Sequence, residues 1–189
     1  DLCMKVVDAV KAKLKMPDLQ VKLNPVTSAT RIPLMANGTI DLECGSTTNT
    51  AERQKQVAYA PTTFVTANRF VAKKGAALAV TPAGLKGKRI GVQRATIHDR
   101  YVTDLYKTSQ VVRYTKQDEA FLDLASGRID ATLVDQVAAS HGFLRTPAGK
   151  DFEFIVFPGG GHGSGESKYG RRRRQDFFVR SLMGVEPRR

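Results

Sequence analysis

Segments with strand periodicity alternate with segments with helical periodicity along most of this chain, and this alternation constrains its fold more than any other feature. Residues 2–14 place apolar side chains at helical spacing with lysines opposite, and residues 19–23 alternate apolar and polar side chains as a half-buried strand does. Strands and helices in such alternation are typical of largely parallel sheets with helices packed on both faces. The sequence therefore predicts an α/β fold.

The remaining candidate elements continue this order along the chain. They are a helix capped by Thr27 or Ser28, a strand at 39–42, a helix at 51–57, a β-prone stretch at 63–72, a helical turn from Thr81, a strand at 88–92, a helix at 97–107, a strand at 111–114, a helix at 117–126, a strand at 129–134, a helix at 135–144 and a strand at 152–157. They form two runs joined by the β-prone stretch. We expect lobe 1 over residues 1–68 and lobe 2 over residues 69–157, with a hinge at about residues 67–75.

Composition and motifs exclude several classes of protein. Hydrophobic residues make up 41% of the 189 residues, too large a share for a disordered chain, and no stretch has the roughly 18 uncharged apolar residues of a membrane span. No Walker pattern and no strand followed by a Gly-x-Ser-x-Gly elbow occurs, and the three histidines are widely spaced. We therefore expect no cofactor, no metal and no catalytic residues.

The two cysteines, Cys3 and Cys44, are too few for a disulfide scaffold and lack the spacing of a metal site. They either form a single disulfide, which an oxidising compartment permits, or remain thiols. The sequence leaves both states open.

Residues 158–189 differ in composition from the rest of the chain. Six glycines lie between Gly159 and Gly170, and four arginines follow at 171–174. Little periodicity accompanies them, so we expect an irregular tail rich in Gly and Arg. The net charge of the chain is +12, but no aromatic platform or recognised module accompanies the arginine run, and we expect no nucleic-acid partner.

Four polar positions follow predicted strands: the loops at 25–31, 44–49 and 93–96, and Asp135. Ligands of open parallel sheets bind beyond the carboxyl ends of the strands, where loops lead into helix N-termini. Hydroxyls, helix-start N–H groups and Arg53 suit a carboxylate, and the Asp at the end of a strand in the other lobe suits an ammonium group. Together they predict a binding site for an α-amino acid.

Each of these residues also has a purely structural interpretation. A Ser or Thr before a helix is often only an N-cap. Arg53 could pair with Glu52 or Asp41, and Asp135 could cap the helix that follows it. The order of all four loops along the chain favours the binding site over these alternatives.

Several stretches resemble a known protein family. Residues 26–34, 37–49 and 52–56, together with the segments 85–88 and 124–128 that precede strands, resemble the family 3 extracellular solute-binding proteins of ABC transporters. The first half resembles the subgroup for acidic amino acids, and the second half is generic to the family.

The resemblance covers about residues 1–157 and implies a two-lobed periplasmic-binding-protein fold of type II, which closes on its ligand. The family's N-terminal strand, with its ligand-facing arginine, is not matched, and little matches the family's return segment beyond Gly170. We therefore expect a fold that is incomplete at both ends, as in a truncated or frame-shifted reading of a longer gene.

The resemblance assigns roles to five residues of lobe 1. Arg53 matches the arginine that grips the α-carboxylate, and Ser46 and Thr48 would add donors around that group. Ser28 and Arg31 match the pair that reaches the side-chain carboxylate of an acidic ligand.

In lobe 2 the resemblance makes Thr96 a carboxylate contact and Asp135 the acceptor of the ammonium group. Gln117 stands where the acidic subgroup has a histidine near the ligand. Ala95 replaces the glycine that normally precedes the threonine, which is unfavourable if the backbone there requires a positive φ.

The function that the resemblance implies is non-catalytic. It is the periplasmic binding of an acidic or related polar amino acid, with glutamate or aspartate favoured, and its delivery by a monomeric protein to an inner-membrane ABC permease. Two alternatives use the same fold: the ligand-sensing domain of a receptor, and a dehydratase-like enzyme, for which Glu43 and His98 are the nearby acid/base candidates.

Overall fold

The computed structural model describes residues 2–155, and every strand in this part of the chain lies after residue 67. The helices are α1 (Leu2–Leu14), α2 (Arg31–Ala36), α3 (Ile97–Leu105), α4 (Gln117–Ala125) and α5 (Gln136–Ala139). The strands are β1 (Asn68–Lys73), β2 (Arg89–Gln93), β3 (Gln110–Tyr114), β4 (Ala131–Asp135) and β5 (Phe152–Phe154). Shorter turns of helix are Arg53–Lys55 and Pro147–Gly149, both 3-10, and Ser140–Leu144, a π turn that continues α5. The expected tail at 158–189 lies outside the described residues.

The strands of the described residues form one mixed sheet in the order β3-β2-β4-β1-β5. β2 runs parallel to β3 and β4, whereas β1 runs antiparallel to β4 and β5. The prediction of a largely parallel sheet is thus correct for the three strands that α3 and α4 connect and wrong for the other two. Periodicity identifies a strand but not the direction of its partner, which depends on the connection between them.

Helices cover both faces of this sheet, as the alternation predicts. On one face Val102 of α3 packs with Phe70 and Leu133. On the other face Phe121 of α4 stacks on Phe143 with ring centroids 4.8 Å apart. Both faces of the central strands β2 and β4 are therefore packed against apolar side chains. The two strands pair in parallel, so their carboxyl ends lie at the same edge of the sheet.

Residues 2–67 contain helices and turns but no strand. The strands predicted at 19–23 and 39–42 are wrong, since both segments are irregular, and the helix predicted at 51–57 is only the 3-10 turn. Leu23 and Leu42 are 83% and 51% exposed. A strand needs neighbours in a sheet, and two short strands alone are not independently stable. Apolar alternation therefore predicts a strand only where the chain also supplies a sheet for it to join.

A disulfide joins Cys3 to Cys44, which decides between the two states that the sequence leaves open. It links the first turn of α1 to Cys44, which is the first residue of the polar loop 44–49. The apolar side chains along α1 are largely exposed; Leu2 is 61% and Leu14 55% accessible. The disulfide is thus a covalent attachment for a helix that buries little surface.

None of the helices within residues 2–155 has the length and apolar character needed to cross a bilayer.

Candidate functional site

Polar groups from both halves of the chain meet at the carboxyl ends of β2 and β4, which are parallel neighbours. The loop after β2 leads through Ala95 into α3, and β4 ends at Asp135. Arg53, from the first half of the chain, reaches this edge because its Nη2 donates to the carbonyl oxygen of Ala95 at 3.3 Å. The location agrees with the general rule for ligand sites in open α/β sheets.

Carbonyl oxygens hold the half-buried Arg53 side chain. Its Nη1 donates to the carbonyl oxygen of Thr48 at 3.0 Å, in addition to the Nη2 bond to Ala95. The structural alternative of an Arg53–Glu52 pair is wrong, since Glu52 forms an ion pair with Arg100 of α3. Within residues 2–155 Arg53 forms no ion pair, so its guanidinium can exchange a carbonyl contact for a two-point contact with a carboxylate.

Thr96 is the N-cap of α3, so its structural interpretation is correct. Its Oγ1 accepts from the backbone N–H of Asp99 at 3.3 Å and donates to the carbonyl oxygen of Gln93 at 2.6 Å. The hydroxyl thus has partners within its own loop. A ligand contact by Thr96 stays a prediction.

Ala95 adopts a left-handed backbone conformation with φ +59°. This conformation costs a residue with a Cβ about 1–2 kcal/mol, a cost that glycine does not have. The backbone is held there by two bonds, from the N–H of Ala95 to Asp99 Oδ2 and from Arg53 to its carbonyl oxygen. The sequence-based concern about Ala at this position is therefore confirmed.

We expect Ala95→Gly to raise the free energy of unfolding by about 1 kcal/mol, because the left-handed strain disappears and both bonds use backbone atoms. The urea midpoint is the measurement. The matched control is Ala83→Gly, at an exposed position with ordinary φ, which should lower stability by about 0.5–1 kcal/mol. A midpoint that falls in both variants would contradict the strain at Ala95.

Asp135 lies beside a buried histidine at this edge. Its Oδ1 is 3.8 Å from Nε2 of His98, and the same nitrogen is 3.0 Å from Oδ1 of Asn68, the residue opposite Asp135 in the β1–β4 register. Asp135 occupies the N-cap position of α5 but its side chain makes no capping bond, so the capping alternative is wrong. The carboxylate is 25% exposed and therefore accessible.

Burial lowers the pKa of His98 below 6.5, and its effect exceeds the opposing effect of Asp135, while Arg53 lowers this pKa further. The imidazole is therefore neutral at pH 7. Arg53 and Asp135 both influence the pKa of His98, so the two charges predicted to bind the ligand lie near the same histidine side chain.

Ser28 and Arg31 do come together, and Glu43 joins them as a counter-ion that the sequence does not predict. Nη2 of Arg31 donates to the buried Ser28 Oγ at 3.1 Å, and Nη1 donates to Thr47 Oγ1 at 2.6 Å. Nη1 also lies 3.4 Å from Glu43 Oε1, with both side chains 17% exposed. Within residues 2–155 the buried Nε of Arg31 has no hydrogen-bond partner. Arg31 is thus a paired cation with one unused donor.

Gln117 is not placed with the groups around Asp135. Its amide nitrogen donates to Thr132 Oγ1 at 3.4 Å, and that hydroxyl donates to the carbonyl oxygen of Gly91 inside the sheet. Ser46 and Thr48 are exposed, and Thr48 contacts Arg53 through its carbonyl oxygen. Ligand contacts by these three residues stay predictions.

Two residues that lie at the site, His98 and Asn68, are not predicted there by the sequence. The sequence indicates His98 only as an acid/base candidate of the enzyme alternative, although its position in the first turn of the helix after the loop at 93–96 also places it near the predicted site. Asn68 carries no such signal, since only the β1–β4 register brings it to Asp135. Among residues 2–155, no three or more His, Cys, Asp or Glu side chains are arranged to hold a metal ion.

Comparison of the sequence with known proteins gives consistent matches. Residues 3–136 match the model of the bacterial extracellular solute-binding proteins, family 3. Over 134 residues the chain is 44% identical to the glutamate/aspartate import solute-binding protein of Salmonella typhimurium, covering 69% of this chain and 44% of that protein. Over 140 residues it is 39% identical to the lysine/arginine/ornithine-binding periplasmic protein of Escherichia coli, covering 72% of this chain and 54% of that protein. The chain thus spans about half the length of these curated relatives.

Comparison of the structures gives the same result for the fold. An ancestral arginine-binding protein bound to arginine superimposes with a TM-score of 0.68 at 29% identity, covering 80% of this chain and 68% of that chain. This similarity confirms the expected fold class, of which the chain comprises a part. The names of these relatives include acidic and basic amino acids, so the comparisons leave the ligand open.

Proposed function

This chain belongs to the bacterial extracellular solute-binding proteins of family 3, and on that premise we propose that it binds an amino acid for delivery to an ABC permease. The observation that carries the proposal is the position of Arg53. Its guanidinium is bonded to carbonyl oxygens and lies close enough to His98, the neighbour of Asp135, to lower the pKa of that histidine. A cation that forms no ion pair in the described part of the chain and an accessible carboxylate lie at one edge, and they match the two charges of an α-amino acid.

The proposed binding mode uses one charge from each half of the chain. Arg53 receives the α-carboxylate and gives up a carbonyl contact for two charge-assisted bonds, while Asp135 accepts the ammonium group. We propose that lobe 1 (1–68) and lobe 2 (69–157) close over the ligand about residues 67–75. A ligand that contacts both lobes stabilises the closed form, because the open form lacks half of these contacts.

The proposed ligand is an acidic or related polar amino acid, with glutamate and aspartate first. The unused Nε of Arg31 supports this choice, since it is a buried donor next to Ser28. Glu43 is a competing carboxylate on the same guanidinium, and a ligand carboxylate there has to share Arg31 with it. The 44% identical relative named for glutamate and aspartate import supports the same choice.

We further propose that the protein acts without catalysis, as a monomer in the periplasm, with the inner-membrane permease as its macromolecular partner. Family membership supports this role.

Thermal denaturation in the presence of each of the twenty amino acids tests the proposal. We expect L-glutamate and L-aspartate to raise Tm, since a ligand at a hundred times its Kd stabilises the folded state by about 2.7 kcal/mol. N-acetyl-L-glutamate, without the ammonium group, and L-glutamate α-amide, without the α-carboxylate, are the matched controls and should have little effect. A chain that none of the twenty stabilises does not have this function.

A further inference from the structure

His98 occupies the first turn of α3 with its side chain 8% exposed, and it faces the carboxylate proposed to hold the ligand's ammonium group. Nε2 lies 3.0 Å from Asn68 Oδ1 and 3.8 Å from Asp135 Oδ1. At the second distance a protonated imidazole forms an ion pair with the carboxylate, whereas a neutral one does not. The state of His98 thus decides whether Asp135 already has a cationic partner.

The groups around His98 come from three other segments of the chain. Asn68 lies on β1, Asp135 ends β4, and Arg53 belongs to the 3-10 turn of the first half. On its own helix, Asp99 bonds to Arg113 of β3 at 2.8 Å and to Thr103 at 3.2 Å, so its carboxylate is already occupied. Asp135 is therefore the anion that a protonated His98 meets.

We propose that His98 makes ligand binding pH-dependent, because its protonated form pairs with Asp135 and competes with the ammonium group of the amino acid. The inference rests on the proposed function, since it assigns the ammonium group to Asp135. His98 is a positioning residue in this scheme: it acts through Asp135 and need not touch the ligand.

The direction of the effect follows from the pKa of His98, which burial lowers below 6.5. Near neutral pH the imidazole is uncharged and Asp135 is available. As the pH falls through this pKa, the imidazolium forms and pairs with Asp135. The ammonium group of the ligand can then reach Asp135 only after His98 has lost its proton. If only the neutral form binds, the affinity falls by about tenfold for each further pH unit. By linkage, the bound ammonium group lowers the pKa of His98 still more.

Calorimetric titration of the 189-residue chain with L-glutamate between about pH 5 and 8 tests the inference, because the ligand's own groups hardly titrate in that range. We expect the affinity of the unmodified chain to fall in the acidic part of the range. His98→Gln keeps a donor for Asn68 but does not titrate, and its affinity should vary little with pH. His141→Gln, the same change at an exposed histidine, should behave like the unmodified chain.

NMR titration of the His98 ring in the unmodified chain gives a second measurement that does not depend on the folding of a variant. Addition of L-glutamate should lower the pKa of His98 measurably. An equal pH slope in His98→Gln, or a His98 pKa that the ligand does not move, overturns this inference and leaves the proposed function intact. Failure of every amino acid to bind at about pH 7.5 overturns the proposed function, and the inference with it.

Discussion

Arg53→Ala is expected to abolish amino-acid binding in calorimetry while the sheet of residues 68–154 stays folded. The loss of a desolvated charged partner costs about 2–5 kcal/mol, which corresponds to a decrease in affinity of about 30-fold or more. The fold should survive because Arg53 bonds to the backbone carbonyls of Thr48 and Ala95, both at exposed residues where water can replace it.

Two further variants distinguish a binding role from a general effect of charge. Arg53→Lys keeps the positive charge but loses the planar fork that contacts both carboxylate oxygens, so its affinity should lie between those of the unmodified chain and Arg53→Ala. Arg145→Ala removes the same charge from an exposed position outside the site and should bind normally. Unchanged affinity in Arg53→Ala would remove this residue from the site.

Loss of the Cys3–Cys44 disulfide is expected to unfold residues 2–67 while residues 68–155 keep their structure. The two cysteines are 41 residues apart, and a loop of this length stabilises the folded state by about 4 kcal/mol in the chain-entropy account. Little else opposes unfolding of this segment, since only Ser28 and Ile40 are buried within residues 2–67. The ligand site should be lost as well, because Cys44 precedes the loop whose Thr48 carbonyl holds Arg53.

Amide hydrogen exchange is the appropriate measurement, because the two parts of the chain are expected to open separately. In the double variant Cys3→Ser, Cys44→Ser, amides of residues 2–67 should exchange much faster than in the unmodified chain, and those of β2 and β4 should not change. A reducing agent should reproduce this pattern in the unmodified chain and have no effect on the double variant. Equal protection of residues 2–67 with and without the disulfide would contradict the prediction.

The bounds of the three parallel strands β2, β3 and β4 were predictable to within two residues. β2 and β4 are short apolar runs between helices with clear 3.6-residue periodicity, and the sequence places both within two residues of their observed bounds. The segments 19–23 and 39–42, expected to form strands, have no sheet to join and are irregular. Periodicity indicates which secondary structure a segment prefers. Whether a strand forms depends on neighbouring strands that can accept and donate its backbone hydrogen bonds.

The order of loops along the chain indicates where the site lies, and only the tertiary structure shows which side chains pair there. The position of Asp135 follows from the α/β pattern, because it ends β4 and the carboxyl ends of parallel strands share one edge. Arg53 follows no strand, and only its bond to the carbonyl oxygen of Ala95 brings it to this edge. The Arg31–Glu43 pair, the bond from Gln117 to Thr132 and the contact of His98 with Asp135 join residues 12, 15 and 37 positions apart. Side-chain charge and hydrogen-bonding capacity belong to the sequence, but the partner of each group depends on distances that exist only after the chain has packed.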